Sequence, residues 1–169
     1  MYEAKNFERL LGIEGFSDVL LRNHFTLYEG YVSNVNKVSE FLKTSEVGVP
    51  PWSELKRRFG WEWNGMRLHE LYFGNMVKGG NALDKKSTLA KKIADDFGSF
   101  ELWEKDFRAT GAMRGIGWAI LARDTGSGRL FNVWVNEHDG GHLVGATVLL
   151  VMDVFEHAFA LDYGIKRAD

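Results

Sequence analysis

The residues best equipped for chemistry in this sequence are its histidines and one aspartate near the carboxyl end. There are five histidines, His24, His69, His138, His142 and His157, and no cysteine. Without thiols the chain can form neither a disulfide nor a thiolate metal site, so a transition metal would have to sit on nitrogen and oxygen donors. In Asp153-Val154-Phe155-Glu156-His157-Ala158 a carboxylate and an imidazole stand four residues apart at a strand-to-helix transition, and both can face one point. His24 and His69 fall on the apolar-rich faces of predicted helices. A lone imidazole so placed is ordinarily a core group with its hydrogen bonds met locally, and the Asp153 and His157 pair is by itself a weak signal. Imidazole suits iron, manganese and zinc alike, while an added carboxylate favours a metal that cycles between two oxidation states.

The elements that must position these groups are legible from periodicity. Leu20, His24, Leu27, Tyr28, Tyr31, Val35, Val38 and Leu42 recur at helical spacing, which predicts one long helix over 17–42 with Ser17 as its N-cap. Pro50-Pro51 in the run 47–53 predicts a break followed by a loop. A second helix, apolar around much of its circumference, is expected over 62–76. The polar, glycine-bearing stretch 78–86 is the best candidate for a boundary between lobes, dividing the chain into 1–82 and 83–169. Beyond it, 87–97 and 99–114 read as two amphipathic helices, the second capped by Ser99. Strand-like runs at 118–123 and 129–135 flank the hairpin-type loop 124–128, and 147–152 suits a third, buried strand before a terminal helix from Val154. The expected class is α+β: a lobe of long paired helices, then a lobe of helices around a small three-stranded antiparallel sheet.

Composition narrows the function. A chain of 169 residues with 45% hydrophobic and 26% charged residues can bury a core and contains no membrane-span pattern. Lys and Arg number 21 against 23 Asp and Glu, a net charge of -2, so no sequence-wide positive field exists to hold nucleic acid. No secretory signal is visible at the amino terminus, which makes the cytoplasm the default expectation.

Taken together, the sequence resembles the iron/manganese superoxide dismutase family, whose signature near the carboxyl end is Asp-x-Trp-Glu-His-Ala; Phe155 stands at the tryptophan position. Three further stretches agree in order and approximate spacing. They are Tyr31-Val32-Ser33-Asn34-Val35-Asn36-Lys37, Leu68-His69-Glu70-Leu71-Tyr72-Phe73, and Phe97-Gly98-Ser99-Phe100 leading to Gly115-Ile116-Gly117-Trp118. The likeness covers nearly the whole chain. It implies superoxide dismutation at a mononuclear iron or manganese ion, one per subunit, held by His24, His69, Asp153 and His157 with solvent as a further ligand. It also implies a substrate-gating role for Tyr31, a homodimer or higher homo-oligomer with Glu156 crossing its two-fold interface, and neither nucleic acid nor membrane as partner. Gly65 occupies a place where some members carry a glutamine that reaches the bound solvent. His138 is the implied replacement, because in the archaeal iron-type branch two histidines placed like His138 and His142 precede the ligand aspartate.

The departures from the family pattern are specific. Tyr31 follows His24 by seven residues where the family usually has eight, and Asn23 stands at the expected ligand place. One residue of register turns a side chain by about 100°, so the helix must lose a local bulge for His24 to reach the metal. The family's gate histidine is replaced by Leu27 and Tyr28, and its tyrosine partner by Ala160. Family members continue into tryptophan-rich helices past the point where Lys166-Arg167-Ala168-Asp169 stands. The altered gate leaves a second reading open, a non-catalytic or differently reacting metal-binding descendant. Arg22, Lys37 and Arg67 are candidate basic guides for an anionic substrate.

Overall fold

A computed structural model describes residues 1–168. A 3-10 turn at Glu8–Leu10 precedes α1 (Asp18–Thr44) and α2 (Pro50–Asn75), two long helices that pack along one another. The buried side of α1 carries Leu20, Leu21, His24, Tyr28, Val32, Val35 and Val38, which keeps most of the predicted stripe but adds Leu21 and Val32 and leaves Leu27 exposed, and the Ser17 side chain accepts from Leu20 N–H to cap it. α1 is unbroken, so the seven-residue interval from His24 to Tyr31 is realised as two straight turns, with no bulge.

The prolines act differently from the expectation of a loop after residue 51. Pro50 and Pro51 open α2, which is 26 residues long. At the first positions of a helix the N–H groups have no intrahelical partner, so proline loses nothing there and its fixed φ is already helical. No helix or strand lies between Asn75 and Thr88.

α3 (Thr88–Phe97) and α4 (Phe100–Gly111) are each capped by a serine, Ser87 and Ser99, and lead into β1 (Gly117–Asp124), β2 (Leu130–Asn136) and β3 (Ala146–Asp153). The sheet is antiparallel in the order β2-β1-β3. Its central strand is covered on both sides. Trp118, Ile120 and Ala122 face α1 and α2 with Val135 and Val151, whereas Ala119, Leu121 and Leu130 face Ile93, Trp103 and Phe107 of α3 and α4. Three layers result: helix pair, sheet, helix pair. The expected terminal helix from Val154 is instead a 3-10 turn at Glu156–Ala158 followed by the one-turn α5 (Ala160–Tyr163), with Phe159 interrupting at φ -144. α5 is tied back to the start of α1, where the Asp162 carboxylate accepts from Ser17 N–H and Ser17 Oγ–H, each at 2.6 Å. Among the described residues, no helix is long and apolar enough to cross a membrane.

Candidate metal centre

Four side chains from three distant parts of the chain meet between α1, α2 and the sheet. His24 comes from the middle of the buried α1 stripe and His69 from α2, near the end where that helix packs on β3. Asp153 is the last residue of β3, directly opposite Trp118 in register, so both side chains leave the sheet on the face toward α1 and α2. His157 follows on the 3-10 turn. One ligand atom from each of these four residues lies within 4.8 Å of the others.

The hydrogen bonds decide which atoms point inward. Asp153 Oδ1 accepts from Phe155 N–H at 2.9 Å, a local turn that leaves Oδ2 for the centre. Oδ2 then lies 3.1 Å from His157 Nε2, 3.2 Å from His24 Nε2 and 3.6 Å from His69 Nε2. His69 Nδ1 is 2.6 Å from the Gly65 carbonyl oxygen, which can only accept; Nδ1 therefore carries the proton and Nε2 presents a lone pair. A lone pair and a carboxylate oxygen so placed repel one another, and His69 Nε2 and both nitrogens of His24 are buried without a hydrogen-bond partner. A cation among them resolves this. Metal–nitrogen and metal–oxygen bonds of about 2.0–2.2 Å separate pairs of ligand atoms by roughly 3–4 Å, which is the spacing found between Asp153 Oδ2 and the three imidazole nitrogens. The donor set of three imidazoles and one carboxylate fits iron or manganese.

Electrostatics agree with neutral imidazoles facing an ionised carboxylate. Burial drives His24 down from its ordinary pKa and His69 down to about 3, against the opposing pull of Asp153. Burial alone would raise the Asp153 carboxyl, but the His157 and His24 imidazoles beside it outweigh burial and hold Asp153 well below the usual range.

A second group of side chains borders this centre on one side. His138 is fully buried; its Nδ1 accepts from Trp118 Nε1–H at 3.0 Å, and its Nε2 is 2.7 Å from the Tyr31 hydroxyl. Indole nitrogen is a donor only, so Nδ1 is bare and the neutral ring carries its proton on Nε2. His138 therefore donates to the Tyr31 oxygen, and the hydroxyl proton of Tyr31 is left for another acceptor. The Tyr31 ring stacks on His69 at 5.1 Å between centroids. It does so because position 65 has no side chain: a Cβ there would lie 2.5 Å from the Tyr31 ring. Burial, then the charges of Glu62 and Asp153, raise Tyr31 to about 12, with Arg58 opposing. Burial lowers His138 to about 4.

Other residues singled out by sequence stand elsewhere. His142 reaches back to the His138 carbonyl at 2.9 Å and so braces the loop. Tyr28 turns its hydroxyl to Lys5 N–H and Glu70. Leu27 is partly exposed, Ala160 begins α5, and the Glu156 side chain is exposed with no hydrogen bond or ion pair among the described residues. Two contributors had no assigned role in the sequence reading. Trp118 sets the tautomer of His138, and Phe155 is stacked between His138 at 4.9 Å and His157 at 5.1 Å. Both belong to stretches whose type was legible, but a donor or stacking role depends on tertiary neighbours.

Comparison with known proteins places the chain. The sequence profile of the family described as iron/manganese superoxide dismutases, C-terminal domain, matches residues 85–169. The chain is 37% identical over 155 residues to the manganese superoxide dismutase 2 of Haloferax volcanii, covering 89% of this chain and 76% of that protein. It is 34% identical to the iron superoxide dismutase of Aquifex pyrophilus, with 98% of this chain and 81% of that protein covered. Against the manganese superoxide dismutase 1 of Haloferax mediterranei, identity is 42% over 83% of this chain and 97% of that protein. With three imidazoles and an aspartate gathered on one buried point and relatives of this likeness across most of its length, the chain belongs to the iron/manganese superoxide dismutase family.

Proposed function

We propose that this protein is a superoxide dismutase whose iron or manganese ion is held by His24, His69, Asp153 and His157. The observation that carries the reading is the convergence of three Nε2 atoms on Asp153 Oδ2, with those of His24 and His69 buried and otherwise unpartnered. When bound, the ion supplies the one-electron couple by which one superoxide is oxidised to oxygen and the next reduced to hydrogen peroxide. Every other duty falls to the chain. The carboxylate and the neutral imidazoles hold the site, while the aromatic wall of Trp118, Phe155 and Tyr72 excludes bulk water from it. Two protons are taken up per peroxide formed. Tyr31, kept protonated at neutral pH, has its hydroxyl oxygen occupied by His138 Nε2–H and its own proton free to be donated toward the centre.

The active unit in this reading is a homodimer in which Glu156, whose carboxylate has no ion-pair partner among the described residues, meets the partner subunit, and each subunit consists of lobes 1–82 and 83–169 clasping the metal. The test is metal analysis of the purified protein, chelation, and reconstitution with iron or manganese separately. Dismutation that disappears with the metal and returns with one of the two is the expected result; full activity in the chelated protein would refute the reading.

A further inference from the structure

Superoxide is an anion, yet the protein carries a net charge of -2 and the candidate centre is bordered by aromatic rings. Something local must attract the substrate. The three basic residues suggested by sequence are poorly placed for this. Arg67 is held by Glu70 at 2.6 Å and lies over Tyr2 and Trp63, and Arg22 faces Glu8 at 3.5 Å; the Lys37 side chain forms no hydrogen bond or ion pair with the described residues around the centre.

One stripe of α2 leads from the surface to the metal ligands. Arg58, Trp61, Glu62, Gly65 and His69 follow one another at helical spacing, so their side chains lie on one face. At its inner end Gly65 receives the Tyr31 ring and His69 joins the ligands. In the middle the edge of Trp61 meets His138, with ring centroids 4.7 Å apart. At the outer end the Arg58 guanidinium lies over Trp61 at 5.5 Å and its Nε donates to Glu62 at 2.6 Å.

The two charges of this pair are unequally presented. Glu62 has a side chain only 2% exposed, and its other oxygen accepts from Asn34 Nδ2 at 3.3 Å, whereas the Arg58 side chain is 56% exposed and its two Nη groups form no hydrogen bond or ion pair among the described residues. An anion arriving from solvent therefore meets the positive end of the pair. Arg58 is also felt inside, since its charge bears on both the Tyr31 hydroxyl and His138, where the facing negative charges are Glu62, Asp139 and Asp153.

We propose that Arg58 is the anion-attracting group at the mouth of the site, drawing superoxide to the surface formed by Trp61 and Tyr31. This rests on the dismutase reading for the identity of the anion, and on the geometry alone for the preference. Arg58 acts on arrival of substrate, so it affects kcat/KM and leaves kcat nearly unchanged.

The test uses the metal-loaded protein and three variants: Arg58→Lys, Arg58→Gln, and the double variant Arg58→Gln with Glu62→Gln, which restores the wild-type net charge. Metal content is measured for each. Arg58→Gln is expected to lower kcat/KM about three- to tenfold at low ionic strength and to flatten its salt dependence, while Arg58→Lys retains most of both. The double variant is expected to stay low, because the exposed charge is still missing. Binding of azide, an anion probe read from the metal's absorption, is expected to weaken by a similar factor in both glutamine variants. Wild-type kcat/KM and salt slope in the double variant would overturn the proposal, showing that Arg58 serves only to neutralise Glu62. Unchanged azide affinity in Arg58→Gln would overturn it too. If the loaded wild type failed to consume superoxide but lost azide affinity on Arg58→Gln, the dismutase reading would fall and the anion site would stand.

Discussion

The two sides of the site treat imidazole in opposite ways. On the inner side, His24 and His69 are as deeply buried as any apolar residue, yet three of their four ring nitrogens have no hydrogen-bond partner. On the outer side, His138 is equally buried but both nitrogens are engaged, one by Trp118 and the other by Tyr31. An unpaired polar atom in a dry interior costs about 1–3 kcal/mol, so the inner arrangement is tolerable only if an ion compensates it. The outer arrangement is complete by itself and fixes where protons sit. Burial alone thus says little about a histidine; the bookkeeping of its two nitrogens separates a candidate ligand from an imidazole whose hydrogen bonds are met.

The comparison can be broken most directly from the inner side. His24→Ala or His69→Ala should abolish stoichiometric metal binding and reduce dismutation by more than about 100-fold, since loss of even a supporting contact costs roughly 10- to 100-fold. Metal analysis and turnover on the same sample would check this. If His24→Ala kept its metal, the shifted register of α1 would have to be read as non-ligating. On the outer side, His138→Leu should keep the metal and lose about 10- to 100-fold in activity. His138→Gln should recover part of it, because an amide can both accept from Trp118 and donate to Tyr31.

A smaller effect is expected at the join between the two sides. Gly65→Ala places a methyl group against the Tyr31 ring, which must swing out and release His138. Activity should fall by about tenfold, and combining it with His138→Leu should add less than the product of the two, because both break one hydrogen bond. The smallest effect concerns acid. His69 is held at about 3 and His138 at about 4, against 6.5 when exposed. Below about pH 6.5 the unfolded chain binds protons that the folded chain refuses, so stability is fully present above that pH and is lost as pH falls toward 4. Thermal unfolding of the metal-free protein should show Tm lower by roughly 5 °C or more at about pH 5 than at about pH 7.5; an unchanged Tm would mean that His69 and His138 take up protons in the folded protein as they do in the unfolded one.

Much of this was readable before any coordinates. Most of the α1 stripe, the Ser17 and Ser99 caps, the three strands and the Asp153 and His157 spacing follow from periodicity and short-range chemistry, which depend on neighbours in sequence. The start of α2 was misread because Pro50-Pro51 ends one helix and begins another with the same fixed φ, and only the following residues reveal which. The short broken helix after Val154 was hidden because Phe159, which interrupts it, has no breaker chemistry of its own. Trp118 as a donor to His138, and the stacking of Phe155 between two imidazoles, arise from contacts across 20 residues of sequence and from the strand end beside the ligands. Periodicity carries no information about either.

The clasp of Asp162 on Ser17 joins positions 145 residues apart. During synthesis His24 and His69 leave the ribosome long before Asp153, His157 and Asp162 exist, so a growing chain offers two imidazoles and no completed ligand set. Completion of the candidate ligand set is thereby postponed until residues 153–162 have emerged, when the one-turn helix α5 can clasp the start of the first long one.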